Sequence, residues 1–142
     1  MAASPWCSAL YPTRSRTSPR HDPGILEAII ETMITHWQPE CAVAVSHAFQ
    51  DRYPEREPGT NPQLPYIGWL TYLHADRVAQ LPAELPPELA ASVTARITPD
   101  GGRLFIVDTG GVIFTASNPE HVARTCALHA FLRDHGALEP MR

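Results

Sequence analysis

Proline constrains this chain more than any other residue: it occupies fifteen of 142 positions, about twice its usual share of roughly 5%. Each proline removes a backbone donor and clashes with the preceding turn of a helix, so long uninterrupted helices must be few. Two stretches escape this limit. The first opens at Asp22-Pro23, an N-cap candidate followed by proline at the first helical position, and continues with Ile25, Leu26, Ile29, Ile30 and Met33 at helical spacing. It should stop near Trp37, because Pro39 disfavours helix in the residue before it. The second starts at Ser117 or Asn118, with Pro119 in the first turn and Glu120 three residues after Ser117 as in a capping box, and Gly136 stops it. Its apolar stripe is Val122, Cys126, Leu128, Phe131 and Leu132.

Strand signals fill the space between. Residues 41–47 and 66–73 are apolar runs with β-propensity, and an extended 66–73 would put Trp69 and Tyr72 on opposite faces. Residues 92–98 alternate Val93, Ala95 and Ile97 with polar neighbours, 99–102 supply a turn, and 104–107 return as the second arm of a hairpin. A further short turn and strand is expected at 110–114, and 76–90 has room for only a helical turn or two. Residues 50–65 carry four prolines and three acids and read as a long surface loop. The expected fold is α+β, a mostly antiparallel sheet of about four strands flanked by an N-terminal and a C-terminal helix. Residues 1–21, rich in Arg, Pro and Ser, read as a loose arm ahead of a single domain over 22–142.

With 44% hydrophobic residues the length suits one domain with a sizeable core. No apolar run reaches the roughly 18–20 residues of a membrane span, and prolines break any signal-peptide stretch, so the expected address is cytoplasmic. Cys7, Cys41 and Cys126 are odd in number and widely spaced, which reads as reduced thiols, with Cys41 and Cys126 buried. The formal charge of −4 argues against a nucleic-acid binder. Its distribution is uneven. Residues 1–22 carry three Arg and one Asp, whereas 40–100 carry eight acids and four Arg.

Motifs for chemistry are weak. Asp108-Thr109-Gly110 after an apolar run resembles the triplet of retroviral-type aspartic proteases, which pair two aspartates across a dimer. Only 32 residues follow Gly110 and they end in a helix, so the competing reading is a strand closed by a turn. His121, Cys126 and His129 share the last helix, but His121 and Cys126 are five apart and no second ligand pair accompanies them, so no metal is assigned. His129 and His135 are expected at the helix surface or near its C-terminus. Ser46 and His47 are neighbours that alternate across a strand, which does not make a nucleophile and its base. No catalytic residue and no cofactor are assigned. Tyr66, Trp69 and Tyr72 read as core before they read as a stacking platform.

The segment Asp51-Arg-Tyr-Pro-Glu-Arg-Glu57 is different in kind. Its carboxylates Asp51, Glu55 and Glu57, with Tyr53, sit on a proline-stiffened loop that could steer a basic partner; a solvated loop without a partner is the alternative. Asp76 is added as a further contact candidate.

The order of segments is informative at this point. Trp37-Gln-Pro-Glu40, the run 41–47, Gly68-Trp69-Leu70-Thr71-Tyr72-Leu73, Leu85-Pro86, Leu104-Phe-Ile-Val107 and Asn118-Pro119-Glu120-His121 together resemble the bacterial immunity protein 52 family over about 25–138. Members of that family carry a longer portion before the Trp-Pro element, so the chain reads as a shortened or differently started member. The resemblance implies a cytoplasmic immunity protein of a polymorphic toxin system that binds a cognate toxin, a nuclease of restriction-endonuclease type. It implies no catalytic residues, and no nucleic acid or membrane as partner. Two alternatives stay open: an aspartic-protease-like hydrolase using Asp108, and a toxin chaperone or adaptor that does not inhibit.

Overall fold

A capping carboxamide or carboxylate followed by proline starts each long helix. The computed structural model describes residues 7–10, 22–52 and 67–140. In chain order these form β1 (Cys7–Leu10), α1 (Pro23–Trp37), β2 (Cys41–Ala44), α2 (His47–Arg52), β3 (Leu70–Leu73), α3 (Ala75–Val78), α4 (Pro87–Ala90), β4 (Val93–Ile97), β5 (Arg103–Val107) and α5 (Pro119–Asp134). Asp22 accepts the Gly24 N–H at 2.8 Å to open α1, and Asn118 accepts the Glu120 N–H at 3.0 Å to open α5. Because Asn118 is the cap, the expected Ser117–Glu120 capping box does not form. Gln38 ends α1 in the left-handed region, its N–H returning to the Ile34 carbonyl, and Leu26, Ile30, Met33 and Ile34 form the buried stripe.

The sheet runs in the order β1-β2-β3-β5-β4. Strands β2 to β5 are antiparallel, Cys41 facing Leu73, Thr71 facing Phe105 and Ala95 facing Phe105 in register, as expected of an α+β fold. Both faces of β2 and β3 are buried. Helix α1 lies against these two strands, and α5 lies against β5 and α4.

Several boundaries differ from expectation for identifiable reasons. Strand β2 stops at Ala44 because Ser46 turns the chain, its Oγ and its carbonyl both accepting the Phe49 N–H, at 3.2 and 3.1 Å. Residues 47–52 are therefore helical, which corrects the first positions of the loop expected over 50–65, and Phe49 is buried in the core; 53–65 lie outside the described residues. The turn at 110–111 forms as expected, but 112–114 continue as irregular chain and not a strand, and Phe114 is buried from within it. His129, expected at the surface, is buried with His121, Thr125, Leu128 and Leu132 on the inner face of α5.

Two findings concern the N-terminal arm. Cys7–Leu10, inside the segment expected to be loose, form an edge strand parallel to β2, with Cys7 opposite Cys41 in register. Cys41 is almost completely buried, as expected, but it is disulfide-bonded and not a reduced thiol. Cys126 is a half-buried thiol. A separation of 34 residues in sequence gives no sign that positions 7 and 41 meet across neighbouring strands.

The hairpin turn anchors to the sheet through one carboxylate. Asp100 accepts hydrogen bonds from the hydroxyls of Tyr72 and Thr98, and the Gly102 N–H donates to it at 3.4 Å. Burial alone would raise the Asp100 pKa, but these hydrogen bonds outweigh it and hold the carboxyl below its usual range. Burial, then the hydrogen bond to Asp100 and its charge, push the Tyr72 hydroxyl above its ordinary value. A depressed carboxyl stabilises the fold above its unfolded pKa and loses that contribution on acidification; a raised tyrosine does so below its unfolded pKa and loses it as pH rises. Denaturant titrations should therefore show stability falling below about pH 4 and above about pH 10. Tyr72→Phe should weaken the alkaline fall; an unchanged alkaline limb would sink this assignment.

Candidate functional site

Asp76 lies in α3 with its side chain 94% exposed. The His74 Nδ1 is 3.6 Å from its carboxylate, but that nitrogen accepts the Asp76 N–H as the cap of α3 and cannot donate at the same time. The carboxylate is thus left uncompensated at the surface. The adjacent Arg77 turns inward, binding Glu40 at 2.9 Å and the carbonyls of Ala137 and Glu139, so it ties α3 to the entry of β2 and to the C-terminal segment. Of the other candidate contacts, Asp51 falls in the last turn of α2, and Tyr53, Glu55 and Glu57 lie outside the described residues. The structure does not bring these residues to Asp76 in any described contact.

The residues weighed for catalysis or metal binding are engaged in structural work. Asp108 closes the turn after β5, its Oδ1 accepting the Gly110 N–H at 2.8 Å, while its carbonyl accepts from Arg124 at 2.7 Å. His121 is buried and stacks on Phe114 with centroids 5.4 Å apart. Its Nδ1 accepts the Thr115 N–H at 3.1 Å, which places the ring proton on Nε2 and locks the 114–116 turn onto α5. Trp69 stacks on the other side of Phe114 at 6.2 Å, and Phe49 meets it edge-on at 5.3 Å. Among the described residues no three His, Cys, Asp or Glu side chains converge as a metal site, and no helix is long and apolar enough to cross a membrane.

One concave surface lies where the N-terminus of α1 approaches the β4–β5 end of the sheet. It has a volume of about 240 Å³, and Pro23, Trp69, Ala91, Val93, Ile106 and Asp108 are among its lining residues. Asp108 is the one carboxylate among its described lining residues. Asp22 adjoins Pro23, and on the same helix Glu27 and Glu31 share a single cation, Arg96 of β4. Asp22 and Asp108 each use one oxygen to accept from a local amide and have no ion-pair partner among the described residues. From the sequence Asp22 reads as a helix cap, and Asp108 as either a protease-like aspartate or a turn residue. Each local role is real, and nothing in the separation of Pro23 from Asp108 signals that the two line the same hollow.

The geometry defines a small α+β protein whose described residues form no metal cluster and whose surface carries exposed acidic side chains such as Asp76 and Asp108. The chain belongs to the immunity protein 52 family, whose profile matches residues 7–141. The match covers nearly the whole chain and takes in β1, ahead of the stretch over which the resemblance was read. No curated protein matches it. Family membership makes it an immunity protein, with a toxin as its partner.

Proposed function

We infer that the protein shields its cell by binding a nuclease toxin of restriction-endonuclease type in the cytoplasm, as the immunity partner in a polymorphic toxin system. Direct contact covers the toxin's active site or obstructs substrate entry. The observation that carries the reading is a set of exposed carboxylates, Asp76, Glu84, Glu88 and Asp108, that no arginine pairs with among the described residues. A nuclease cleft must attract phosphates and is therefore basic, so a preformed acidic surface can compete for the same field. A cytoplasmic address would keep Cys41 reduced, which assigns its disulfide to the oxidised form of the chain.

Asp51, Tyr53, Glu55, Glu57 and Asp76 are the proposed contacts. Co-expression with the toxin encoded beside this gene should rescue growth, the two chains should co-purify, and the complex should not cleave DNA. Rescue without nuclease activity in the isolated toxin would refute the nuclease assignment; a stable complex that still cleaves DNA would make the protein a chaperone. Reversing the charges of Asp51, Glu55 and Glu57 together should slow association and flatten its salt dependence. Unchanged association kinetics at low salt would remove that segment from the steering surface.

A further inference from the structure

We propose that the free edge of β4, over residues 94–97, is where an extended segment of the toxin adds to the sheet as a further strand. The proposal rests on the immunity reading and supplies the place and the mode of contact. Strand β4 ends the sheet order, with β5 on one side only. Its pairing with β5 fixes which backbone groups face outward. The Thr98 N–H donates to the Gly102 carbonyl at 3.0 Å and the Asp108 N–H to the Ser92 carbonyl at 2.8 Å, so in this antiparallel register Thr94 and Arg96 bond to β5. Val93, Ala95 and Ile97 therefore point their N–H and C=O groups away from β5.

Most of this edge is open to a partner. Thr94, Ala95, Arg96 and Ile97 are all exposed, and Ile97, at 72%, is the most exposed large apolar residue among those described. Sheet edges are commonly guarded by proline, lysine, a bulge or a covering element. Strand β4 contains neither proline nor lysine, and its register with β5 runs unbroken from Val93 to Ile97. Its single charge, Arg96, is drawn toward α1 by Glu27 and Glu31. Alternation then sets the chemistry of the incoming strand. Ala95 and Ile97 share the face opposite Arg96, so an apolar side chain of the toxin laid over Ile97 removes it from water, while backbone pairing supplies the hydrogen bonds.

A second copy of the chain fits this edge poorly, because two-fold pairing of β4 with itself meets an obstacle in each register. Centred on Thr94 or Ala95, it needs the backbone of Val93, which is only 3% exposed. Centred on Arg96, it sets two arginines directly opposite each other. Centred on Ile97, it places Ala95 against Pro99, which has no N–H to give. A strand from a different protein escapes all of these, and family membership supplies that protein, the toxin.

Residue-resolved amide exchange on the full chain tests the site without any substitution. In the free protein the Ala95 and Ile97 amides should exchange much faster than those of Thr94 and Arg96, which bond to β5. Saturation with the toxin domain encoded beside this gene should slow Ala95 and Ile97 by about tenfold or more. Ala95→Pro deletes an outward N–H and no β4–β5 hydrogen bond, an arrangement in which an edge strand tolerates proline, and should weaken toxin binding about tenfold. Toxin binding that leaves the two amides as fast as in the free protein would overturn the docking edge and leave the immunity reading intact. Parent-like affinity in a folded Ala95→Pro would do the same, and if that variant does not fold, the exchange result on the parent decides. Protection of the two amides that rises with the concentration of the free protein would assign the edge to a second copy and overturn the proposal. A parent chain that neither binds the toxin nor rescues growth would remove the reading beneath it.

Discussion

Phe114→Ala is expected to destabilise the protein by about 3–5 kcal/mol, the usual range for removing a fully packed phenylalanine. Phe114 is 5% exposed although it belongs to an irregular segment, and its ring lies among Phe49, Trp69 and His121. These contacts join α2, the entry to β3 and the start of α5, which are distant in sequence. Removing the ring would leave a cavity walled by three rigid side chains that cannot easily collapse into it. Against a total stability of roughly 5–15 kcal/mol the loss is a large fraction. Denaturant midpoints measure it, with Val112→Ala as the control: Val112 is 58% exposed two positions away, and its truncation should change stability by no more than about 0.5 kcal/mol. Equal effects from the two substitutions would contradict the assignment of Phe114 to the core.

Gly68→Ala should cost about 3 kcal/mol or more, a large penalty for one methyl group. A Cβ at position 68 would lie 2.5 Å from the Ala44 carbonyl oxygen, 2.7 Å from Val43 Cγ2 and 2.9 Å from the Val45 Cβ. The nearest obstacle is backbone, so a rotamer change cannot relieve it. Relief would require β2 and the entry to β3 to separate, which would strain the hydrogen bond from the Trp69 N–H to the Ala44 carbonyl at 2.9 Å. The Gly68 N–H also donates to Thr71 Oγ1 at 3.1 Å. Amide exchange should therefore quicken in β2 and β3 before it changes in α5. A variant with parent-like stability would show that these strands can part at little cost.

Both results bear on how much could be read from the chain itself. The helices α1 and α5 were legible because their start signals are local: Asp22-Pro23 and Asn118-Pro119 act within two residues of the groups they satisfy. The hairpin of β4 and β5 was legible for the same reason, since alternation and the turn at 99–102 are short-range. Phe114 was not, because a phenylalanine between exposed Ile113 and Thr115 looks like part of a short strand until Trp69 and His121 close around it. Helix α2 was missed because its signal, Ser46, was read as strand, and its anchor Phe49 gains its value only when the core receives it.

The candidate contacts divide in the same way. The exposed acidic character of Asp76 was readable, and the structure adds that its neighbouring histidine cannot neutralise it while it caps α3. That Pro23 and Asp108 line one hollow was not readable, since each had a sufficient local explanation. Resemblance located the family from segments such as 68–73 and 118–121, whose residues now have physical reasons: Gly68 for the close approach of β2, and His121 for the lock on the turn at Phe114.

By itself, then, the sequence determined the α+β class, the two long helices, the central hairpin and the family, because capping, proline geometry and alternation act over a few residues. Tertiary structure alone decided that residues 7–10 add a parallel edge strand, that Cys41 is bridged, that an irregular segment supplies the centre of an aromatic cluster and that Pro23 and Asp108 line one hollow. Each of these depends on which distant segments the sheet brings together, and contact energy between such segments leaves no periodic trace along the chain.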